Sequence, residues 1–411
     1  MVSSVVSYTV NACNIPLEIF QNIVEYCSIK EQFKFFSLNV YLHRTLKIKS
    51  LKDADHYLIG KIGNNILQPR YSKLKELKMN YSHKNMPLNH LLHLQYLTGY
   101  FDNNVTHQQI SNLTKLEELF VGFARNINFN HLINLKKLKL LSCSIKTENI
   151  SELTQLEYMD ILNYDKIDFS TFTNLKTFKI SGHNNNKLND DMIIPLTTLT
   201  HVDINYCYDI ADINCLTNLE YLSVNRCDNI KYINNLCSLT ELHIRLNNNI
   251  DQNGLNRLTQ LKILNLDDIK NPINIYMLTN LTTLDLYKIE TIQNTQLCYL
   301  TNLINLQVIA CPNITDVGHL TKITKLTIGE NDLNIDEINK LVNITQIYMF
   351  GFVSDDVGGM TTWKCPFGDN ITDIIRELKE QGMLACSKYQ YIIDQLNLPK
   401  LVYLEYGYTD E

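Results

Sequence analysis

The chain is poor in the residues that mark fibrous or linker-rich proteins. Its 411 residues hold 14 glycines, 8 prolines and one tryptophan, which excludes a collagen-like or low-complexity architecture. No stretch approaches the roughly 20 apolar residues of a membrane span. Lys and Arg number 37 against 43 Asp and Glu, a net charge of −6, so nothing here resembles a nucleic-acid-binding footprint. The eleven cysteines form no C-x-x-C pair and no regular framework. Scattered thiols of odd number imply a reducing compartment, cytoplasmic or nuclear, or the host-cell cytoplasm if the gene is viral. The opening MVSSVVSYTVNAC has neither the basic start nor the apolar run of a signal peptide. There is no G-x-x-x-x-G-K-[ST], no G-x-G-x-x-G behind a strand and no H-E-x-x-H. His90 and His93 lack a third ligand nearby. The expectation is a non-catalytic protein without metal or cofactor.

What the chain does have is asparagine, isoleucine, lysine and tyrosine, the bias of an AT-rich genome, and one repeated sentence. The segments LTKLEELFV, LTNLEYLSV, LTQLKILNL and LTNLTTLDL share the pattern L-x-x-L-x-x-L-x-L/V/I. Its last position recurs every 19 to 24 residues, at Met79, Gly99, Val121, Leu140, Ile161, Ile180, Ile204, Val224, Ile244, Leu266, Leu286, Val308, Ile328 and Met349. The L-x-L piece alternates like a short strand, and the L-x-x-L spacing carries the chain around a corner. One unit cannot fold alone, because its apolar face needs a neighbour to cover it. This period and leucine pattern resemble the leucine-rich-repeat family. The resemblance implies an α/β repeat solenoid, a curved array with a parallel sheet on its concave face. Repeats this short leave room for turns, 3₁₀ turns and only occasional short helices outside.

Three residues past the last aliphatic position stand Cys143, Cys207, Cys227, Asn247, Cys311 and Asn331, with Tyr164, His183, Ile269 and Ile289 as departures. An interior Cys or Asn at a corner can bond backbone groups that the turning chain leaves unpaired. The strand positions between the leucines face the other way. They supply Tyr158, Asp160, His201, Asp203, Tyr206, Tyr221, Arg226, His243, Arg245, Asp267, Asp285 and Tyr287. Aromatics interleaved with both signs of charge have the composition of a protein-binding surface, whereas a tyrosine-rich composition places tyrosines without function. N-x-T triplets such as Asn112-Leu113-Thr114 and Asn280-Leu281-Thr282 carry a core leucine in the middle, and composition accounts for them.

Residues 1–70 lack the repeat. Pro16 and Glu18 suit a helix start, and Ser28-Ile29-Lys30-Glu31 has the form of a capping box opening a second helix. Leu42, Leu46 and Leu51 continue into a third, and Leu51, Ala54, Leu58 and Ile62 keep a helical stripe to Gly63. The residues Ile15-Pro16, Glu18-Ile19, Ile23, Tyr26, Phe33 and Ser37-Leu38 through Arg44 and Leu46 resemble the F-box. The likeness covers about 35 residues and departs at Cys27, Gln32 and His43. It implies a substrate receptor of a cullin-type ubiquitin ligase, with Ile15, Pro16, Glu18, Ile19 and Ile23 docking on a Skp-type adaptor while the array holds the target protein. The alternative is a free-standing interaction scaffold whose N-terminal helices only cap the solenoid. The expected domains are therefore a helical module over 1–50, a helical connector over 51–70, the array over 71–349, and a C-terminal insertion and capping repeat over 350–411. In the last of these an irregular stretch precedes a helix over 370–381, and LPKLVYLEY restores the repeat.

Overall fold

The computed structural model describes residues 21–22, 25–38, 48–51, 62, 66–79, 87–100, 107–123, 127–143, 145–162, 167–181, 188–329, 333, 335–351, 363–364 and 403–408. Ile15, Pro16, Glu18, Ile19 and Ile23, Asn331 and the helix expected over 370–381 lie outside these residues. The chain divides into two compact units, Met1–Phe172 and Thr173–Glu411.

The first unit stacks β1 (Ser50–Leu51), β2 (Glu76–Met79), β3 (Tyr96–Tyr100), β4 (Glu118–Gly122), β5 (Lys137–Leu141) and β6 (Tyr158–Leu162), each parallel to the next. The second stacks β7 (Thr177–Ser181), β8 (His201–Asn205), β9 (Tyr221–Asn225), β10 (Glu241–Arg245), β11 (Ile263–Asp267), β12 (Thr283–Tyr287), β13 (Asn305–Ile309), β14 (Lys325–Gly329) and β15 (Gln346–Gly351). The register follows the leucine pattern: Ile204 faces Val224, Val224 faces Ile244, and Leu286 faces Val308. Residues Leu219, Leu222, Val224, Leu281, Leu284 and Leu286 are all buried. The C-terminal copy of the repeat forms β17 (Tyr403–Tyr408), parallel to β15, with Leu404 beside Ile347.

Each L-x-x-L is a turn closed by one backbone bond between its leucines, as from Leu219 N to Leu216 O (3.1 Å) and from Leu303 N to Leu300 O (3.1 Å). Where the third residue of the turn is asparagine it ties that turn to the one before, whereas other turns place Gln155, Thr198, Ser238, Gln260 or Lys322 there. Asn134, Asn218, Asn280, Asn302 and Asn343 donate from Nδ2 to the carbonyls of Thr114, Thr197, Thr259, Thr279 and Thr321 at 2.8–3.0 Å. The N-x-T triplet at Asn280 is thus a rung-to-rung tie. Short helices punctuate the other flank: α1 (Ile29–Leu38) lies at the N-terminal side, followed by α2 (His107–Ile110), α3 (Asp190–Ile193), α4 (Gln252–Asn256), α5 (Asn294–Leu297) and α6 (Ile335–Asn339).

The corner after eight of the strands is strained. Among the described residues eight non-glycines take a positive φ of 49° to 60°: Phe123, Ser142, Tyr206, Arg226, Leu246, Asp268, Lys288 and Ala310. All stand one place beyond a strand, and each N–H donates to the last strand carbonyl of the next rung, as from Tyr206 N to Asn225 O (2.9 Å). The left-handed conformation costs roughly 1–2 kcal/mol per residue. It is held because the bend must follow at once while the ladder bond is kept.

The expected capping box is present. Glu31 Oε2 accepts from the Ser28 backbone N (2.8 Å) and Oγ (2.7 Å), and α1 begins at Ile29. Two expectations need correction. Leu51 belongs to β1, not to a helical stripe, because an open sheet edge at Glu76-Leu77 pairs with it. Trp363-Lys364, read as irregular, forms β16 antiparallel to β17.

Candidate functional site

Strand positions one, three and five point away from the leucine core, and the register places them in three rows. On β8 to β12 the first row reads His201, Tyr221, Glu241, Ile263 and Thr283. The second reads Asp203, Ser223, His243, Asn265 and Asp285, and the third Asn205, Asn225, Arg245, Asp267 and Tyr287. Neighbouring rungs stand about 4.8 Å apart, so side chains of one row touch.

The centre of this face is a line of rings. His201 stacks on Tyr221 with centroids 5.9 Å apart and planes 17° from parallel, and Tyr221 meets His243 at 5.3 Å. His243 Nε2 lies 2.7 Å from Glu241 Oε1. Arg245 Nε reaches Asp267 Oδ2 at 3.0 Å. Asn225 Nδ2 donates to Asn205 Oδ1 (3.1 Å), and Asn205 Nδ2 in turn donates to Asp203 Oδ1 (2.8 Å). The relay ends at Asn225 Oδ1, which is shielded from solvent and accepts from no described residue.

The electrostatics of this face are not self-compensated. Burial raises the carboxyl of Asp285 above its usual range even though His243 and Lys325 pull it down. Burial likewise raises Asp267 against the opposing charge of Arg245. The Tyr221 hydroxyl is pushed up by burial and by Asp203. At Asp285 and Asp267 burial thus outweighs the favourable charges nearby, although Asp267 is paired with Arg245.

The residues read from the sequence as one surface fall into three groups. His201, Asp203, Tyr221, His243, Arg245, Asp267, Asp285 and Tyr287 share the face of β8–β12, all but His201 and Arg245 half-buried. Tyr206 and Arg226 occupy the strained corner along its edge, with the Arg226 guanidinium 5.5 Å from the centre of the Tyr206 ring. Tyr158 and Asp160 belong to the first unit. There Asp160 pairs with Lys139 (2.6 Å), Lys139 lies over the Phe120 ring (5.4 Å), and Lys137 pairs with Glu118 (2.7 Å). Tyr96, Phe120, Lys137, Lys139 and Tyr158 line a depression of about 350 Å³. Glu241, Asn205 and Asn225 were missed. Strand alternation marks all three as outward, but an asparagine or a glutamate in this composition carries no signal until its partner on the next rung is known.

The corner cysteines are structural. Cys143 Sγ lies 3.4 Å from Leu141 O, Cys227 Sγ 3.4 Å from Ile204 O and Cys311 Sγ 3.3 Å from Ile309 O, while Asn247 Nδ2 donates to Cys227 O at 2.8 Å. Hydrogen bonding to Cys227 and burial push the Cys207 thiol up, and burial pushes that of Cys311 up to about 11. Burial thus favours the neutral thiol at both corners.

No family model matches the sequence, and neither does any curated protein. Solved structures do match. An internalin (inlF) of Listeria monocytogenes str. 4b F2365 is 22% identical over 69% of this chain and 88% of its own, with a TM-score of 0.53. TLR13, in a complex with ssRNA13, is 21% identical over 75% of this chain and 51% of its own, with a TM-score of 0.51. A leucine-rich-repeat protein of Leptospira interrogans, LIC12759, is 18% identical over 79% and 93%, with a TM-score of 0.49. At these identities the likeness is one of fold. With the leucine turns, the parallel register and the corner Cys or Asn already in place, the chain is a leucine-rich-repeat solenoid.

Proposed function

We propose that the chain is a non-catalytic receptor that holds a protein partner on the exposed sheet face of β8–β12. The observation that carries this reading is the His201–Tyr221–His243 ring cluster beside the half-buried carboxylates of Asp285 and of Asp267, the latter paired with Arg245. Rings supply contact area at low entropic cost, and aromatic and arginine side chains dominate binding energy at protein interfaces. The two carboxylates favour a partner segment carrying Lys or Arg. The same acidity argues against a nucleic acid here, although TLR13 was solved with RNA. The paired changes Tyr221 with Arg226 and Arg245 with Tyr287, each to Ala, test it. Both variants are expected to lose the same partner, by about tenfold or more in affinity, while far-ultraviolet dichroism stays unchanged. Undiminished binding by either pair removes the face from consideration.

The finer reading makes this receptor a subunit of a cullin-type ligase in the cytoplasm or nucleus. Its support is the F-box resemblance around Ile15, Pro16, Glu18, Ile19 and Ile23 and the capped helix that follows at Ile29. Changing Pro16 and Ile19 together to Ala should abolish binding to a Skp-type adaptor without altering melting. Retained binding returns the N-terminal helices to the role of a cap on a free-standing scaffold.

A further inference from the structure

The asparagine tie is absent from three consecutive turns of the first unit. Where later turns carry Asn134 or Asn218, these carry Lys73, His93 and Lys115, each the third residue of its turn. The turns themselves are intact, with Leu74 N bonded to Tyr71 O (2.9 Å), Leu94 N to Leu91 O (2.9 Å) and Leu116 N to Leu113 O (3.0 Å). Stacking the rungs therefore stacks three cationic or potentially cationic side chains.

They converge on the imidazole. Lys73 Nζ lies 3.1 Å from His93 Nε2, and Lys115 Nζ lies 3.5 Å from His93 Nδ1. An ammonium group only donates, and a neutral imidazole accepts at one nitrogen alone. One lysine thus faces an N–H, and if the ring is protonated both do. Among the described residues no carboxylate pairs with either lysine. Glu117, two residues from Lys115, is bonded by Gln95 Nε2 at 2.8 Å. The charges acting most on His93 are Lys73, Lys115 and Lys75, which add to burial in lowering its pKa. Two exposed lysines thus share at most one acceptor on the ring, with no acid paired to either among the described residues.

The flanking residues depart from the pattern as well. The second place of a turn is often threonine, as at Thr114, Thr197, Thr217, Thr259 and Thr279, but the His93 turn has Leu92 there, 52% exposed, and the Asn134 turn next to that of Lys115 has Ile133, 60% exposed. Apolar side chains beside a cationic row suit an anion borne on a larger molecule better than a free ion.

We propose that Lys73, His93 and Lys115 form a binding site for a doubly charged tetrahedral oxyanion, a phosphate monoester carried by a partner. Such a group has an oxygen for each of the three donors, whereas a carboxylate has two oxygens and half the charge. The site stands whether or not the face of β8–β12 binds a protein.

The test follows the His93 ring by NMR in the full chain, with a His93→Asn variant to assign its signal among the 11 histidines. Sodium sulfate is the probe, since its charge is constant where imidazole titrates, against sodium chloride at matched ionic strength. Sulfate should move the His93 signal saturably and raise its titration midpoint. Its affinity should rise about threefold or more as the pH falls through that midpoint. Chloride should act only by screening. A Lys73→Ala/Lys115→Ala variant, checked for folding by dichroism, should lose saturable binding. Equal responses to sulfate and chloride, or an unchanged response in the double variant, overturn the site. A phosphoserine peptide should bind about tenfold tighter than its unphosphorylated twin; equal binding of the two overturns the ester assignment.

Discussion

Asn247 offers the sharpest test of what holds the corners together. Its side chain is wholly buried where other rungs place cysteine. Nδ2 donates to Cys227 O at 2.8 Å, and Oδ1 accepts from Asn249 N at 3.1 Å. Asn247→Ala leaves a carbonyl and an N–H unpaired in a closed corner. Each unmet buried group costs about 1–3 kcal/mol, so the pair should cost about 2–6 kcal/mol. Asn247→Cys places a thiol there that makes a bond of its own toward Val224 O, in the manner of Cys227, whose Sγ lies 3.4 Å from the register-equivalent Ile204 O. Its loss should fall to about 1–2 kcal/mol. Urea unfolding followed by dichroism gives the totals. Hydrogen exchange at the amides of β10 and β11 gives the local effect, which matters because a repeat array need not unfold in one step. If Asn247→Ala stays within about 0.5 kcal/mol of the parent, or if the Cys and Ala variants are equally destabilised, the corner does not work through these two bonds.

Neighbours on β12 should respond in opposite senses. Leu284→Ala, at a fully buried position, is expected to cost about 2–5 kcal/mol in urea unfolding through the cavity it leaves; a loss below about 1 kcal/mol would mean that the rungs collapse around it. Asp285→Asn should instead raise the melting temperature at neutral pH. Burial holds the native carboxyl above its unfolded value, so its contribution is most favourable below the unfolded pKa and is lost as pH rises through the native one. The advantage of the Asn variant should vanish on acidification through the carboxylate range, and a lower melting temperature at neutral pH would contradict this.

The rungs were legible in the sequence because each must bury the same side chains against its neighbour. Thirteen of the fourteen positions therefore carry one message, and the departure at Gly99 does not shift the register. The corner bonds of Cys143, Cys227 and Asn247 were legible for a related reason: the bending chain leaves the same groups unpaired at every turn. The capping box at Ser28 and Glu31 is wholly local, and local chemistry is what a sequence states best. Leu51 was misread because a two-residue strand has no periodicity of its own and exists only through the edge it meets. Tyr206 and Arg226 were placed on the strand face because nothing in their side chains reveals a positive φ. The ring row of His201, Tyr221 and His243 was legible as outward-facing residues, whereas its stacking and the unrepaid burial of Asp285 depend on three neighbouring rungs at once.

The most direct test of the receptor reading is site-specific photo-crosslinking in cells that express the full chain. A photoreactive residue placed at Ser223, in the middle of the face between Asp203 and His243, should capture a discrete protein. One placed at Thr217, on an exposed turn of the same rung, should not, and the Ser223 adduct should disappear when Tyr221 and Arg226 are changed to Ala. Adducts of equal yield from both positions, or a Ser223 adduct that survives the double change, would contradict the account.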